Sequence, residues 1–126
     1  MKRSDGHILV MLLLTLLLMA GCGGERGPQA LVLADSLMNS RPDSALAVLD
    51  RAEGQMAGEH QRRQWQLLRL NAINKLDTLF TATYVAHAQT LADYFDHHGN
   101  ANERMLAHYL LGRTYYDTNN KKQDEN

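Results

Sequence analysis

The chain has 126 residues, 13 Lys and Arg against 14 Asp and Glu, and a single cysteine. That length supplies one hydrophobic core and leaves no room for a catalytic domain with a separate cofactor domain. A near-neutral chain without clustered positive charge excludes nucleic acid and a polybasic lipid patch as expected partners. One cysteine also allows no intrachain disulfide, so packing alone must stabilise the fold.

The N-terminus begins Met1, Lys2, Arg3, then passes through a polar stretch to an apolar run, Ile8–Ala20, broken only by Thr15. A basic start, a short apolar run and small residues after it form a secretory leader, and the run falls short of the roughly 20 residues a spanning helix needs. Met19, Ala20, Gly21 and Cys22 follow in order, with Gly23 and Gly24 behind them. This segment resembles the bacterial lipobox, departing from it in Met19, where the family prefers leucine. The resemblance implies that residues 1–21 are a signal peptide removed in processing. It further implies that Cys22 carries a thioether-linked diacylglycerol and an N-acyl chain such as palmitate, with no other cofactor. At about 0.8 kcal/mol per buried methylene, two or three such chains hold a protein on a bilayer essentially permanently. The expected location is the periplasmic side of the inner or outer membrane rather than the cell surface, since no acidic run follows Cys22. Cleavage removes Lys2, Arg3 and Asp5, leaving 105 residues with 11 basic and 13 acidic side chains. Residues 22–29, with three glycines and Pro28, read as a lipidated flexible tether.

Residues 30–118 read as an all-α domain of about five helices. Beyond the leader there are 13 Ala and 14 Leu, while Val32, Val48, Val85 and Ile73 are the sole β-branched apolar residues; straight and small side chains favour helix over strand. The first segment, from about Gln29 to Asn39, places Leu31, Ala34, Leu37 and Met38 on one face. Ser40 to Asp43 break it, and Pro42 suits the first turn of a second helix, which carries Ala45, Val48, Leu49 and Ala52 and ends near Gly54. A third helix, from about Glu59 to Leu76, has apolar residues around more than one face, which marks a central helix packed on two sides. Its wet strip is Arg62, Arg63, Arg69 and Lys75. Asp77 to Thr81 read as a connection with Leu79 and Phe80 tucked inward. A fourth helix, Ala82 to His98, aligns Tyr84, Ala88, Leu91 and Phe95, with Gly99 expected as its left-handed cap. A fifth, Ala101 to Thr118, carries Met105, Leu106, Tyr109, Leu110, Gly112, Tyr115 and Tyr116. Residues 119–126 are polar and are expected to be disordered.

The run Leu110 to Asn120 resembles the first helix and turn of a tetratricopeptide repeat through Leu111, Gly112 and Tyr115. Ala45, Leu49 and Ala52 resemble the second helix of such a repeat. Together with the leader, these segments make the chain similar to the N-terminal part of tetratricopeptide-repeat lipoproteins of gut-type Gram-negative bacteria. The resemblance implies stacked antiparallel helical hairpins, a close approach of a neighbouring helix at Gly112, and a protein-protein interaction module.

The residues offer little chemistry. His60, His87, His97, His98 and His108 show no metal-ligand spacing, and no nucleophile elbow, reactive thiol or phosphate-binding glycine loop is present. Asp93 with Asp96, and Asp50 with Glu53, are carboxylate pairs of the kind solvated helix faces produce. No enzyme activity, metal or small-molecule substrate is therefore expected. Tyr109, Arg113 and Tyr116 share one face of the fifth helix, and the resemblance places them on the concave, peptide-binding side; aromatic residues and arginine are enriched where interfaces hold most of their energy. The expected function is a membrane-anchored lipoprotein that binds an unidentified protein through this face. Two alternatives are the truncated N-terminal fragment of a larger sensor or transcriptional regulator, and, more distantly, an accessory subunit of a periplasmic enzyme.

Overall fold

A computed structural model describes residues 2–21, 26–76 and 80–125. Cys22, with the rest of residues 22–25, and Asp77 and Leu79 of the fourth connection lie outside the described residues. Six helices run in chain order: α1 (Lys2–Gly21), α2 (Arg26–Leu37), α3 (Pro42–Arg51), α4 (Gly58–Lys75), α5 (Ala82–His98) and α6 (Ala101–Asp124), with no strand among the described residues. The body is all-α and built of helical hairpins joined by short turns. None of the α1 side chains described joins a core cluster, and Ile8 to Leu14 are exposed. Among the described residues no helix is long and apolar enough to cross a membrane.

The α2–α3 hairpin forms because its two stripes coincide. Ala34 and Met38 meet Ala45 and Leu49, all buried, and Ala72 of α4 completes this first cluster. The turn closes through the Arg41 N–H donating to the Leu37 carbonyl at 2.7 Å, and Pro42 opens α3, where its missing N–H costs no helical bond. The second cluster gathers Leu67, Leu70 and Ile73 of α4, Phe80, the α5 stripe of Ala88, Leu91, Ala92 and Phe95, and Ala107 and Leu110 of α6. As the sequence pattern requires, α4 is central: it touches α2 and α3 on one side and α5 and α6 on the other. The Trp65 indole N–H donates to the Leu49 carbonyl at 2.7 Å, satisfying a polar atom at the seam between α3 and α4. Arg69 pairs with Asp50 across the same seam at 2.9 Å.

Four expectations change. Residues 26–29, expected in a flexible tether, belong to α2, which begins at Arg26. Gly27, expected in that tether, is buried, and a Cβ there would stand 2.7 Å from the Gln55 carbonyl oxygen; it is a glycine of close packing. Gly99 caps α5, with its N–H bonded to the Phe95 carbonyl at 2.8 Å, but its backbone is extended (φ −96°, ψ 158°) rather than left-handed. What demands glycine there is space, since a Cβ would lie 2.7 Å from the Phe95 carbonyl oxygen. Finally, α6 continues through residues 119–124 of the expected disordered tail, where Lys121 and Lys122 in the last turn complement the negative end of the helix dipole.

The start of α6 is fixed by a reciprocal cap: the Asn100 side chain accepts from the Glu103 N–H at 2.9 Å and the Glu103 carboxylate accepts from the Asn100 N–H at 3.1 Å. The buried face of α6 is Ala107, Leu110, Thr114 and Asp117, so Met105, Tyr109, Tyr115 and Tyr116 point outward. Nothing lies within 4 Å of a Cβ built on Gly112, so the close approach implied there is not made by any described residue.

Two glycine substitutions should therefore move stability in opposite directions. Gly27→Ala forces a methyl group against backbone and should lower stability by about 1–3 kcal/mol despite its better helix propensity. Gly112→Ala meets open space and should raise it by up to about 1 kcal/mol. Chemical denaturation of the two variants beside the parent protein measures both, and the same sign for both would refute the packing assignment.

Candidate functional site

Every second helix contributes one stripe to a continuous groove. From α2 come Pro28, Leu31, Val32 and Asp35, from α4 Gln61, Gln64, Leu67 and Leu68, and from α6 Asn102, Glu103 and Leu106; these line a cavity of about 450 Å³, closed at one edge by Asn100. Its neighbour, about 500 Å³, is lined by Asn39 beyond α2, by Asn71, Asn74 and Lys75 of α4, and by Leu106, Tyr109 and Arg113 of α6. Leu106 belongs to both, so the cavities adjoin. Along α4 the lining residues Gln61, Gln64, Leu68, Asn71 and Lys75 recur every three or four positions, the spacing that keeps side chains on one helix face. No residue of α3 or α5 lines either cavity.

The groove is electrically divided. At the first cavity, Glu103 is held by its cap on α6 and accepts from Gln64 Nε2 at 3.0 Å, while Asp35 faces the same space from α2. At the second cavity no acidic residue among the described residues contributes to the lining. Its polar groups are three amides, a phenol and the cations of Lys75 and Arg113. Asn71 is 8% exposed and lines this cavity, and among the described residues no buried side-chain polar atom is left without a hydrogen-bond partner. Lys75 is exposed and forms no ion pair among the described residues.

The structure brings together two of the three expected contact residues in this second cavity, Tyr109 and Arg113. Tyr116 lies outside it but is joined to Arg113, whose guanidinium carbon sits 5.6 Å from the Tyr116 ring centre. Both tyrosines are more than half exposed, so neither is a core-edge residue packed on α5. Arg113 also approaches Asp117 at 3.5 Å. That carboxylate is buried and accepts from the Phe80 N–H at 3.4 Å, tying α6 to the segment before α5.

The sequence pattern did not single out Asn39, Asn71 or Asn74, and assigned Lys75 only to a solvated strip. The available signal was Asn71 itself, an amide flanked by Leu70, Ala72 and Ile73 on a helix needing two apolar sides. The acidic pairs are taken up locally: Asp50 by Arg69, Asp93 by Gln89 at 2.9 Å, and Asp96 by His108 at 2.7 Å. Among the described residues no group of three or more His, Cys, Asp or Glu could hold a metal ion. Comparison of the chain with protein-family profiles, curated proteins and solved structures finds no match.

On the opposite side of α4, His87 joins Glu53, Trp65, Arg69 and Tyr84 around a smaller cavity of about 330 Å³. Burial, followed by the positive charges of Arg63 and Arg69, pushes the His87 imidazole below its ordinary value of 6.5. The unfolded chain then takes up this proton at a higher pH than the folded one. The stability associated with neutral His87 is therefore complete above pH 6.5 and lost as pH falls from there toward the depressed folded value. Melting curves across that window should show a smaller acid-side loss in His87→Gln than in the parent protein. Identical pH profiles would show that the imidazole is not held neutral by the fold.

Proposed function

We propose that the protein is a lipid-anchored bacterial lipoprotein whose helical hairpins form a tetratricopeptide-like interaction module that binds a protein segment in the α2–α4–α6 groove. The observation that carries this reading is the lining of one continuous groove by alternate helices. A stack of hairpins in which each helix touches only those one or two places away in the chain presents alternate helices on a common inner face. The contacts here follow that rule throughout: α2 with α3 and α4, α3 with α4, α4 with α5 and α6, and α5 with α6. The resemblance of Ala45, Leu49 and Ala52 to a second repeat helix, and of Leu111, Gly112 and Tyr115 to a first, agrees with α3 as an outer and α6 as an inner helix.

The groove suits contact better than catalysis. It is long, open and lined by amides, aliphatic side chains, one phenol and the charged groups of Asp35, Glu103, Lys75 and Arg113, without a candidate nucleophile beside a base among the described residues. The anchor is supported by the leader and by Cys22 in its small-residue setting. Periplasmic placement follows from the same processing.

Three measurements test it. Metabolic labelling with an alkyne fatty acid should mark the native protein, and Cys22→Ser should abolish the label and release the protein from the membrane fraction. A photo-crosslinking residue at Leu106 should give a discrete protein adduct in cells, while one at Gln89 on the exposed side of α5 should not. The Tyr109→Ala, Tyr116→Ala double variant should weaken capture about tenfold, or about 1.4 kcal/mol, with melting nearly unchanged because both side chains are exposed. Adducts of equal yield at both positions, or loss of fold in the double variant, would refute the groove as the contact surface.

A further inference from the structure

We propose that the Lys75–Arg113 end of the groove is a carboxylate-binding subsite, and that the ligand is a peptide presenting a carboxylate next to apolar side chains. This rests on the reading of the groove as a peptide-binding surface and adds the chemistry of its occupant.

Three observations carry the assignment. The first is Asn71, a residue more than nine-tenths buried that lines the cavity. An amide in a cavity wall both donates and accepts, so a ligand seated there meets a hydrogen-bonding group already held in place. The second is the character of the wall. Asn39, Asn71, Asn74, Lys75, Tyr109 and Arg113 converge from three helices or their ends, every one can donate a hydrogen bond, and no acidic group among the described residues faces them in the lining. The third is charge segregation along the groove. Asp35 and Glu103 stand at the other cavity and repel an anion from that end, which directs it to Lys75 and Arg113.

The size of the charge selects the kind of anion. Arg113 already shares part of its charge with Asp117 at 3.5 Å, so Lys75 is the one full cation free of an ion pair among the described residues of the wall. A monoanionic carboxylate balances that charge, whereas a doubly charged phosphate leaves an uncompensated negative charge in a partly buried site. Arginine and amide groups also match the planar geometry of a carboxylate.

The continuation of the groove selects a peptide over a small free acid. Leu106 borders both cavities, and beyond it lie Leu31, Val32, Leu67 and Leu68. A ligand seated with its carboxylate on Lys75 therefore places its neighbouring groups on aliphatic surface. From Lys75 to Gln61 the groove follows about four turns of α4, about 21 Å, which an extended peptide covers in about six residues.

The test uses the full chain in detergent micelles and three fluorophore-labelled hexapeptides. All share a leucine-rich sequence; the first ends in a free carboxylate, the second in an amide, and the third in an amide with one internal aspartate. The subsite predicts that the free acid binds at least tenfold more tightly than the amide without aspartate, with a preference that weakens as salt is raised. If the aspartate peptide matches the free acid, the carboxylate comes from a side chain; if it matches the plain amide, it comes from the chain terminus. Either outcome supports the proposal. Lys75→Gln, an exposed change that leaves packing intact, should erase most of the difference between acid and amide, and Asn71→Leu should do so as well. Equal binding of all three peptides overturns the carboxylate subsite, as does a preference untouched by Lys75→Gln. Absence of binding by all three also overturns it. The groove reading itself survives any of these failures if crosslinking at Leu106 still gives its adduct, which separates the two claims.

Discussion

The structure depends on α4 being buried on two sides at once. Its Leu67, Leu70 and Ile73 enter the cluster shared with α5 and α6, while Ala72, Trp65 and Leu68 pack toward α2 and α3. Burying each large apolar side chain contributes about 1.5–3 kcal/mol, so a helix serving two clusters supplies a disproportionate share of the stability of so short a chain. The same demand restricts what remains. An 18-residue helix with two apolar sides keeps only narrow strips for polar groups, and one of these strips is the floor of the groove. The groove thus follows from the packing: it is where the central helix has no neighbour covering it, between α2 on one side and α6 on the other.

Helix α6 shows how local and long-range terms combine. Its first turn is fixed by the Asn100–Glu103 box, and Glu103 also receives Gln64 from α4, so the cap sets the groove edge as well as the helix start. Further along, buried Asp117 holds the Phe80 N–H at the entrance to α5, and Phe80 itself is fully buried. A carboxylate near the N-terminus of a helix is also favourably placed in its dipole field. Because the buried face is committed to Ala107, Leu110, Thr114 and Asp117, the tyrosines of this helix have no place in the core and are left for the surface.

Some helix boundaries were legible because they rest on short-range chemistry, although the start of α2 and the end of α6 were not among them. Pro42 at the head of α3, the Ala82–His98 extent of α5 and the two-sided character of α4 all follow from spacing and breakers along the chain. The glycines were less legible, because the same residue answers three different constraints. Gly54, at φ 80°, needs its left-handed backbone; Gly27 and Gly99 need the absence of a Cβ; Gly112 needs neither within the described structure. Position after a helix does not separate the kinds, since Gly99 sits in such a position and belongs to the second, while Gly58, at φ 76°, belongs to the first and opens α4. The groove was least legible. Tyr109 and Arg113 stood out as residue types, but Asn39, Asn71, Asn74 and Lys75 acquire meaning only when α2, α4 and α6 are side by side, which no single-helix periodicity encodes.

The overall charge balance makes this local arrangement consequential. A chain with 13 basic and 14 acidic residues exerts little long-range attraction on any partner, so neither sign of charge draws a ligand from a distance. On the proposed reading, discrimination then comes from groups that meet the ligand at contact. The groove separates its charges along its length, with Asp35 and Glu103 at one cavity and Lys75 and Arg113 at the other. Such a division disfavours a reversed ligand as much as it favours the correct one, because reversal sets like charges together in a partly desolvated space. For a protein proposed to be held on a membrane by its lipid, partners sharing that surface are already concentrated, and the demand on the binding site shifts from raw affinity to orientation and selectivity.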